Sequence, residues 1–229
     1  MKLSLIIPAY NEEKRINKVI SSYSFFLDKK YDYELIVVCD GDDNTPRIVQ
    51  GMMADNPRIK LLEFSERQGK GGAILQGLRE SCGEVVGFVD SDEAVSPGEF
   101  ERLIDALDCT DCAIASRRVK GAQISVNQPL KRRISSRMFN ILVNLLFGLG
   151  IRDTQCGAKV FKREVLDLLL PVFKTRGFEF DVELLWRIKN ADFKIKEVPI
   201  TWKHEEGSTF SLKYSSMMFL SLLRIRLYQ

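Results

Sequence analysis

Histidine is almost missing from this chain of 229 residues, His204 being the only one. One imidazole and one Cys-x-x-Cys, Cys109-Thr110-Asp111-Cys112, with no second pair behind it, exclude the common zinc folds and leave ordinary buried or loop thiols. The five cysteines, Cys39, Cys82, Cys109, Cys112 and Cys156, form an odd set in apolar surroundings, and the N-terminus lacks a secretion signal. A reduced, cytoplasmic interior is therefore expected. Long hydrophobic runs are lacking too. The first, residues 3–7, is cut by Pro8 and is too short for a signal-peptide core. The longest, residues 138–151, holds two asparagines and two glycines and falls short of the ~20 residues a spanning helix needs. No segment is expected to cross a bilayer. Neither sign of charge dominates, with 34 Lys and Arg against 31 Asp and Glu, so the local distribution has to decide what anionic partner, if any, is bound. No nucleic-acid partner is expected, and no oligomeric state follows. Internal repeats and low-complexity linkers are absent.

What is present is ordinary globular composition, 45% hydrophobic and 28% charged, enough to bury a large core in one domain spanning 1–229. Strand-like runs at 3–7, 34–38, 59–64, 85–89 and 113–115 alternate with helical patterns at 12–29, 45–54, 71–81 and 97–107. Such alternation predicts an α/β fold with a mostly parallel sheet and helices on both faces. Ligands of such sheets bind beyond the carboxyl ends of the strands, where residues 8–12, 40–43 and 90–93 all fall. After Ser116 the pattern changes to a basic loop, an apolar helix over 130–149, a loop at 152–158, a helix at 179–189 and a strand near 194–202. A loop at 204–209 and an amphipathic tail over 212–228 follow. This divides the domain into a first half, 1–116, a second half, 117–211, and a tail, 212–229.

Three clusters carry chemistry. Asp90 and Asp92 follow an apolar strand, and residues two apart on a strand point the same way, so both carboxylates can share a divalent cation. The spacing alone is weak, since Asp40-Gly41-Asp42 repeats it, and a turn or cap cluster before the helix near Ser96 is the alternative. Gly69-Lys70-Gly71-Gly72 opens a helix, whose free amides favour an anion, with Lys70 adding charge; a plain tight turn is the alternative. Arg117 and Arg118, then Lys131, Arg132, Arg133 and Arg137 at the head of the apolar helix, suit a ligand with an anionic head and a hydrocarbon tail. A solvated basic face is the plainer reading.

The segments Ile6-Ile7-Pro8-Ala9-Tyr10-Asn11-Glu12, Asp40-Gly41, Gly69-Lys70-Gly71-Gly72-Ala73 and Asp90-Ser91-Asp92 resemble the family 2 glycosyltransferases of GT-A fold. The later motifs Asp153-Thr154-Gln155-Cys156-Gly157-Ala158-Lys159 and Gly177-Phe178-Glu179-Phe180-Asp181-Val182-Glu183 resemble the dolichyl-phosphate glucosyltransferase branch, close to the mannosyltransferases. The resemblance implies inverting transfer of a hexose from UDP-glucose or GDP-mannose to a polyprenyl (dolichyl) phosphate, with Mg²⁺ or Mn²⁺ held by Asp90 and Asp92. It implies a nucleotide-sugar pocket of Pro8, Tyr10, Asn11, Glu12, Asp40, Lys70, Gly71, Asp90 and Ser91. Asp40 could instead cap the helix that follows it. The acceptor phosphate is assigned to Arg117, Arg132, Arg133, Ser135, Arg137, Gln155 and His204. Asp92, Asp153 and Asp181 are the catalytic candidates, the latter two as a base or as orienting groups; Asp181 could equally be a first-turn residue favoured by the helix dipole.

Two departures stand out. Ala94 replaces the glutamine of the mannosyltransferase pattern, and Thr209 stands where the glucosyltransferase branch has a lysine after Gly207-Ser208. The tail, apolar on one side with basic ends, fits either a core helix or a helix lying on the cytosolic membrane face. The alternatives are a related enzyme that glycosylates a sugar or protein hydroxyl, a nucleotidyltransferase and a sensor without catalysis. The nucleotidyltransferase would need its glycine-rich signature where Pro8-Ala9-Tyr10-Asn11 stands.

Overall fold

A computed structural model describes residues 1–125, 130–173, 175–177, 179–203 and 221–226, with the backbone alone for 130–133. Seven strands, β1 (Lys2–Ala9), β2 (Asp32–Cys39), β3 (Ile59–Glu63), β4 (Val85–Val89), β5 (Cys112–Ser116), β7 (Ala158–Lys162) and β8 (Ile195–Pro199), form one sheet in the order β3-β2-β1-β4-β7-β5-β8. Only β7 runs antiparallel to its neighbours. β6 (Gln123–Ile124) and β9 (Thr201–Trp202) make a small separate ribbon.

Alternation along β1 assigns the layers. Leu3, Leu5 and Ile7 pack with Tyr23 and Leu27 of α1 (Ile16–Leu27), Val49 of α2 (Thr45–Asp55) and Phe100 of α4 (Pro97–Ala106). Ile6 turns to the other face, with Ile74 and Leu78 of α3 (Gly69–Glu80), Val143 of α5 (Leu130–Phe147), Leu166 of α6 (Arg163–Leu169) and Phe180 of α7 (Phe180–Asn190). The chain steps from β1 to β2 and β3 on one side, then crosses back through α3 to β4 on the other side of β1, and that reversal opens a crevice at the carboxyl ends of the strands.

The predicted mostly parallel α/β sheet is what the chain forms, with local differences. Helix α1 starts at Ile16 rather than at residue 12, because the Glu12 and Glu13 amides are taken by Thr45 Oγ1 (2.9 Å) and Asp43 Oδ2 (3.0 Å). Helix α3 starts at Gly69, two residues early. Strand β7 and helix α6 lie where no element was expected, and the loop read as 152–158 ends as β7 begins. The tail is described at 221–226 only, which is helical and buries Leu222 and Ile225 in the second core; this stretch follows the core reading, and the rest lies outside the described residues.

At the opposite end of the sheet from the crevice, Glu34 is buried and fixes three elements. Its carboxylate accepts from Ser4 Oγ (2.5 Å), the Cys82 amide (2.7 Å) and Lys60 Nζ (2.6 Å). Burial opposes ionisation, but these donors outweigh it and bring the carboxyl down to about 2 from 4.5. A depressed folded pKa adds stability that is present above about 4.5 and is lost as pH falls toward 2. Glu34→Gln is therefore expected to lower unfolding free energy by about 2 kcal/mol at pH 7, with Lys60 half exposed and screened. In urea titrations the gap between the two proteins should close as pH falls from 4.5 toward 2.

Candidate active site

Strand β4 ends in the crevice, and the acidic pair starts there. The Asp90 amide donates to Gly157 O (3.1 Å), and a methyl group on Gly157 would collide with the Asp90 carboxylate, so only glycine lets that carboxylate lie against the 153–157 loop. Asp92 shapes the turn as well: its Oδ1 accepts from the Ala94 amide (3.0 Å), with Glu93 in the left-handed region (φ 55°). Ser96 caps α4 through the Glu99 amide at 3.4 Å. The turn-and-cap alternative is thus present in part, and it uses one Asp92 oxygen. Burial, then the neighbouring Asp90 charge, raises the Asp92 pKa.

One lysine faces this pair, and a second meets it at Asp181. Lys70 Nζ lies 2.8 Å from Asp90 Oδ1 and 3.7 Å from Asp181 Oδ2. Lys159, wholly buried in β7, donates to Asp181 Oδ1 (2.6 Å) and Cys156 O (2.9 Å). Burial works against the Lys70 charge, but Asp90 and Asp181 outweigh it and raise its pKa.

The β1 and β2 ends complete the same mouth. Asn11, at φ 55°, turns its Oδ1 to accept from the Asp42 amide (2.9 Å), tying the two loops. Glu12 is buried and held by Arg15 through both oxygens (2.7 and 2.8 Å); burial nonetheless raises its pKa. Glu12 also bonds Ser91, which links the first loop to the acidic pair. The Arg67 guanidinium lies 3.7 Å over the Tyr10 ring. Asp40 Oδ2 accepts from the Gln68 and Gly69 amides (2.8 and 3.0 Å), so it secures the start of α3, not the helix that follows it in sequence.

On the far side of β4, Arg117 gives its amide, Nε and Nη2 to Asp153 at 2.8–2.9 Å and lies over Trp202. Burial opposes the Asp153 charge, but the Arg117 bonds and charge hold its carboxyl below the usual range. Arg118 reaches α5 through Ser136 Oγ (2.6 Å) and also donates to Arg152 O (3.1 Å). Burial lowers the Arg118 pKa, with the nearby Asp153 charge working against it and Arg117 and Arg137 adding to it.

Residues 4–170 match the family model described as glycosyl transferase family 2. The chain belongs to that family. It is 33% identical to a dolichyl-phosphate β-glucosyltransferase of Saccharomyces cerevisiae over 98% of this chain and 74% of that protein. Identity is 32% to a Dictyostelium discoideum protein of the same description, over 98% and 73%. Identity to the polyprenol monophosphomannose synthase of Mycolicibacterium smegmatis is also 32%, over 88% and 77%. A Mycobacterium tuberculosis glucosyl-3-phosphoglycerate synthase, solved with Mn²⁺, UDP-glucose and phosphoglyceric acid, superposes with a TM-score of 0.74 over 99% of this chain and 79% of that one, at 20% identity. That likeness is one of fold, the GT-A fold expected from the sequence.

In this family 2 glycosyltransferase, the structure brings Asn11, Glu12, Asp40, Lys70, Asp90, Ser91 and Asp92 to one crevice, with Pro8 at the end of β1 and Tyr10 just beyond it. Two readings need correction. The glycine loop is not an open anion cradle: Gly69 N is given to Asp40 and Gly72 N to Arg176 O (2.9 Å), while Gly71 is pressed against Phe180. Asp153 and Asp181 are not free bases, since each is buried in an ion pair, and Arg117 is correspondingly neutralised by Asp153. Ser135 and the exposed Arg137 lie on α5, and Gln155 is half-buried on the 153–157 loop. The Arg132 and Arg133 side chains, His204 and Thr209 lie outside the described residues. Two residues absent from the sequence-based site are Arg67 and Lys159, and Arg118 was read only as a member of the basic cluster. Lys159 had a legible signal, a lysine between Ala158 and the apolar pair Val160-Phe161, which calls for a buried carboxylate partner.

Proposed function

We propose that this glycosyltransferase moves a hexose, glucose from UDP-glucose before mannose from GDP-mannose, onto a polyprenyl phosphate at the cytosolic membrane face. The observation that carries this reading is the continuity of the site. Asp90 rests on Gly157, whose loop holds Asp153 and so Arg117, and the neighbouring Arg118 bonds Ser136 on α5. An acidic donor side thus abuts a basic acceptor side. The whole-length similarity to transferases named for dolichyl phosphate and polyprenol supports the same reading.

A divalent ion fits the donor set, because Asp90 and Asp92 stand together at the end of β4 with one Asp92 oxygen left over from the turn, and hard oxygens suit Mg²⁺ or Mn²⁺. Asp92, with Asp90, would hold it, and when bound it supplies charge to the departing diphosphate. Arg118, with Ser136 and Arg137, positions the acceptor phosphate, and Arg117 keeps that loop in register through Asp153. An acceptor phosphate oxygen attacks the anomeric carbon while the bond from that carbon to the nucleoside diphosphate breaks on the opposite side, inverting the centre. A lipid phosphate is already ionised near neutrality and needs no strong base. That agrees with Asp153 and Asp181 being committed to ion pairs, and it disfavours a hydroxyl acceptor.

Helix α5 supplies the membrane contact. Ile134, Met138, Ile141 and Leu145 recur every three or four residues and all are exposed, Leu145 by 78%. Among the described residues no helix is long and apolar enough to cross a membrane, so a stripe of this kind is read as lying on the surface. Met138→Ser with Leu145→Ser is expected to weaken co-sedimentation with anionic vesicles about tenfold and leave the melting temperature unchanged. The function itself is tested with purified protein, polyprenyl phosphate, Mn²⁺ and radiolabelled UDP-glucose or GDP-mannose in separate tubes. Label should enter the organic phase with one donor; hydrolysis alone with both would overturn the lipid acceptor.

A further inference from the structure

The ammonium of Lys70 sits where a cation for Asp90 is expected. It is 2.8 Å from Asp90 Oδ1, its side chain is mostly buried, and its backbone is fixed on both sides by the bonds from Gly69 to Asp40 and from Gly72 to Arg176. Asp90 lies close against Gly157, where any side chain would displace its carboxylate. A second seat lies beside the first, at Asp181 Oδ2, 3.7 Å from the same nitrogen. That seat is the weaker one, because the buried Lys159 already neutralises Asp181.

Resting on the donor-site reading above, we propose that Lys70 is an internal counter-cation, a positioning residue that occupies Asp90 until donor and divalent ion arrive together, then shifts to Asp181. Asp90, Asp92 and Asp181 against Lys70 and Lys159 leave one negative charge in the cluster. A divalent ion arriving alone meets the ammonium and overfills that deficit. An ion that arrives with a nucleoside diphosphate brings its own negative charge, so both cations can stay. The lysine thus makes ion binding conditional on donor binding and keeps the empty site from gathering metal. It also stops the two carboxylates from repelling each other when nothing is bound.

The test measures Mn²⁺ binding without donor, from the loss of the free-ion electron paramagnetic resonance signal, in the wild-type chain and in Lys70→Gln, Lys70→Arg and Asp92→Asn. Removing the competing charge should tighten Mn²⁺ binding about tenfold in Lys70→Gln, the order expected for one partly buried charge pair. Lys70→Arg keeps the charge and should bind as weakly as the wild type. Adding UDP should strengthen Mn²⁺ binding more in the wild type than in Lys70→Gln. Melting curves provide a second readout: Lys70→Gln should melt lower without metal and gain more from Mn²⁺ than the wild type does. A merely structural lysine would give unchanged or weaker Mn²⁺ binding in Lys70→Gln while Asp92→Asn abolishes it, and that pattern overturns this proposal alone. Undiminished Mn²⁺ binding by Asp92→Asn would overturn the donor-site reading and the proposal with it.

Discussion

Asp92→Asn is expected to reduce kcat/KM about a thousandfold, the scale of losing one preorganised charge contact in a transition state. The substitution is nearly isosteric. Asparagine can still accept from the Ala94 amide through its side-chain oxygen, so the turn into α4 should persist and the melting temperature should hold or rise. It should hold or rise because the carboxylate is strained as it stands, with burial and Asp90 both raising its pKa. A large loss of rate without a loss of stability separates a functional carboxylate from a helix-cap residue. Steady-state kinetics and a thermal melt on the same preparation make the comparison. A variant that keeps its rate but melts lower would assign Asp92 to the turn.

The second large effect is on stability. Asp181→Asn leaves the Lys159 ammonium in the middle of a buried strand with its charged partner removed and one Cys156 carbonyl remaining. Removing one member of a buried pair typically costs about 3–5 kcal/mol, because the remaining charge keeps its desolvation penalty. Lys159→Met should cost less, since Asp181 retains Lys70 at 3.7 Å and no lysine is left stranded. Urea unfolding of the two variants should therefore rank Asp181→Asn below Lys159→Met. Equal losses would mean that packing, not charge, sets the effect.

These buried pairs explain which parts of the molecule were legible beforehand. Strand β4 was read over Val85–Val89 because its continuous apolar run has no other stable place than a covered sheet. Strand β7 escaped because Lys159 interrupts its pattern, and its burial is satisfied by Asp181, 22 residues later in the chain. Helix α1 was drawn too long because periodicity does not reveal that Thr45 and Asp43 take the Glu12 and Glu13 amides. The site shows the same limit. Asp90, Asp92 and Lys70 were each singled out from local pattern, since strand ends and glycine turns write themselves into short motifs. Their pairing was not legible, because it depends on how α3 and α7 dock, with Gly71 against Phe180. For the same reason Asp153 read as a base or an orienting group: nothing in its own segment says that Arg117, 36 residues earlier, holds both of its oxygens.

The central claim is that the carboxylates beyond β4 hold a sugar-nucleotide diphosphate through a divalent ion. Anomalous diffraction from crystals grown with UDP-glucose and Mn²⁺ tests it most directly. A manganese peak bonded to Asp92 and to the donor diphosphate, with Lys70 drawn toward Asp181, is the predicted result. A peak elsewhere, or a donor bound with both carboxylates turned out of the crevice, would contradict it.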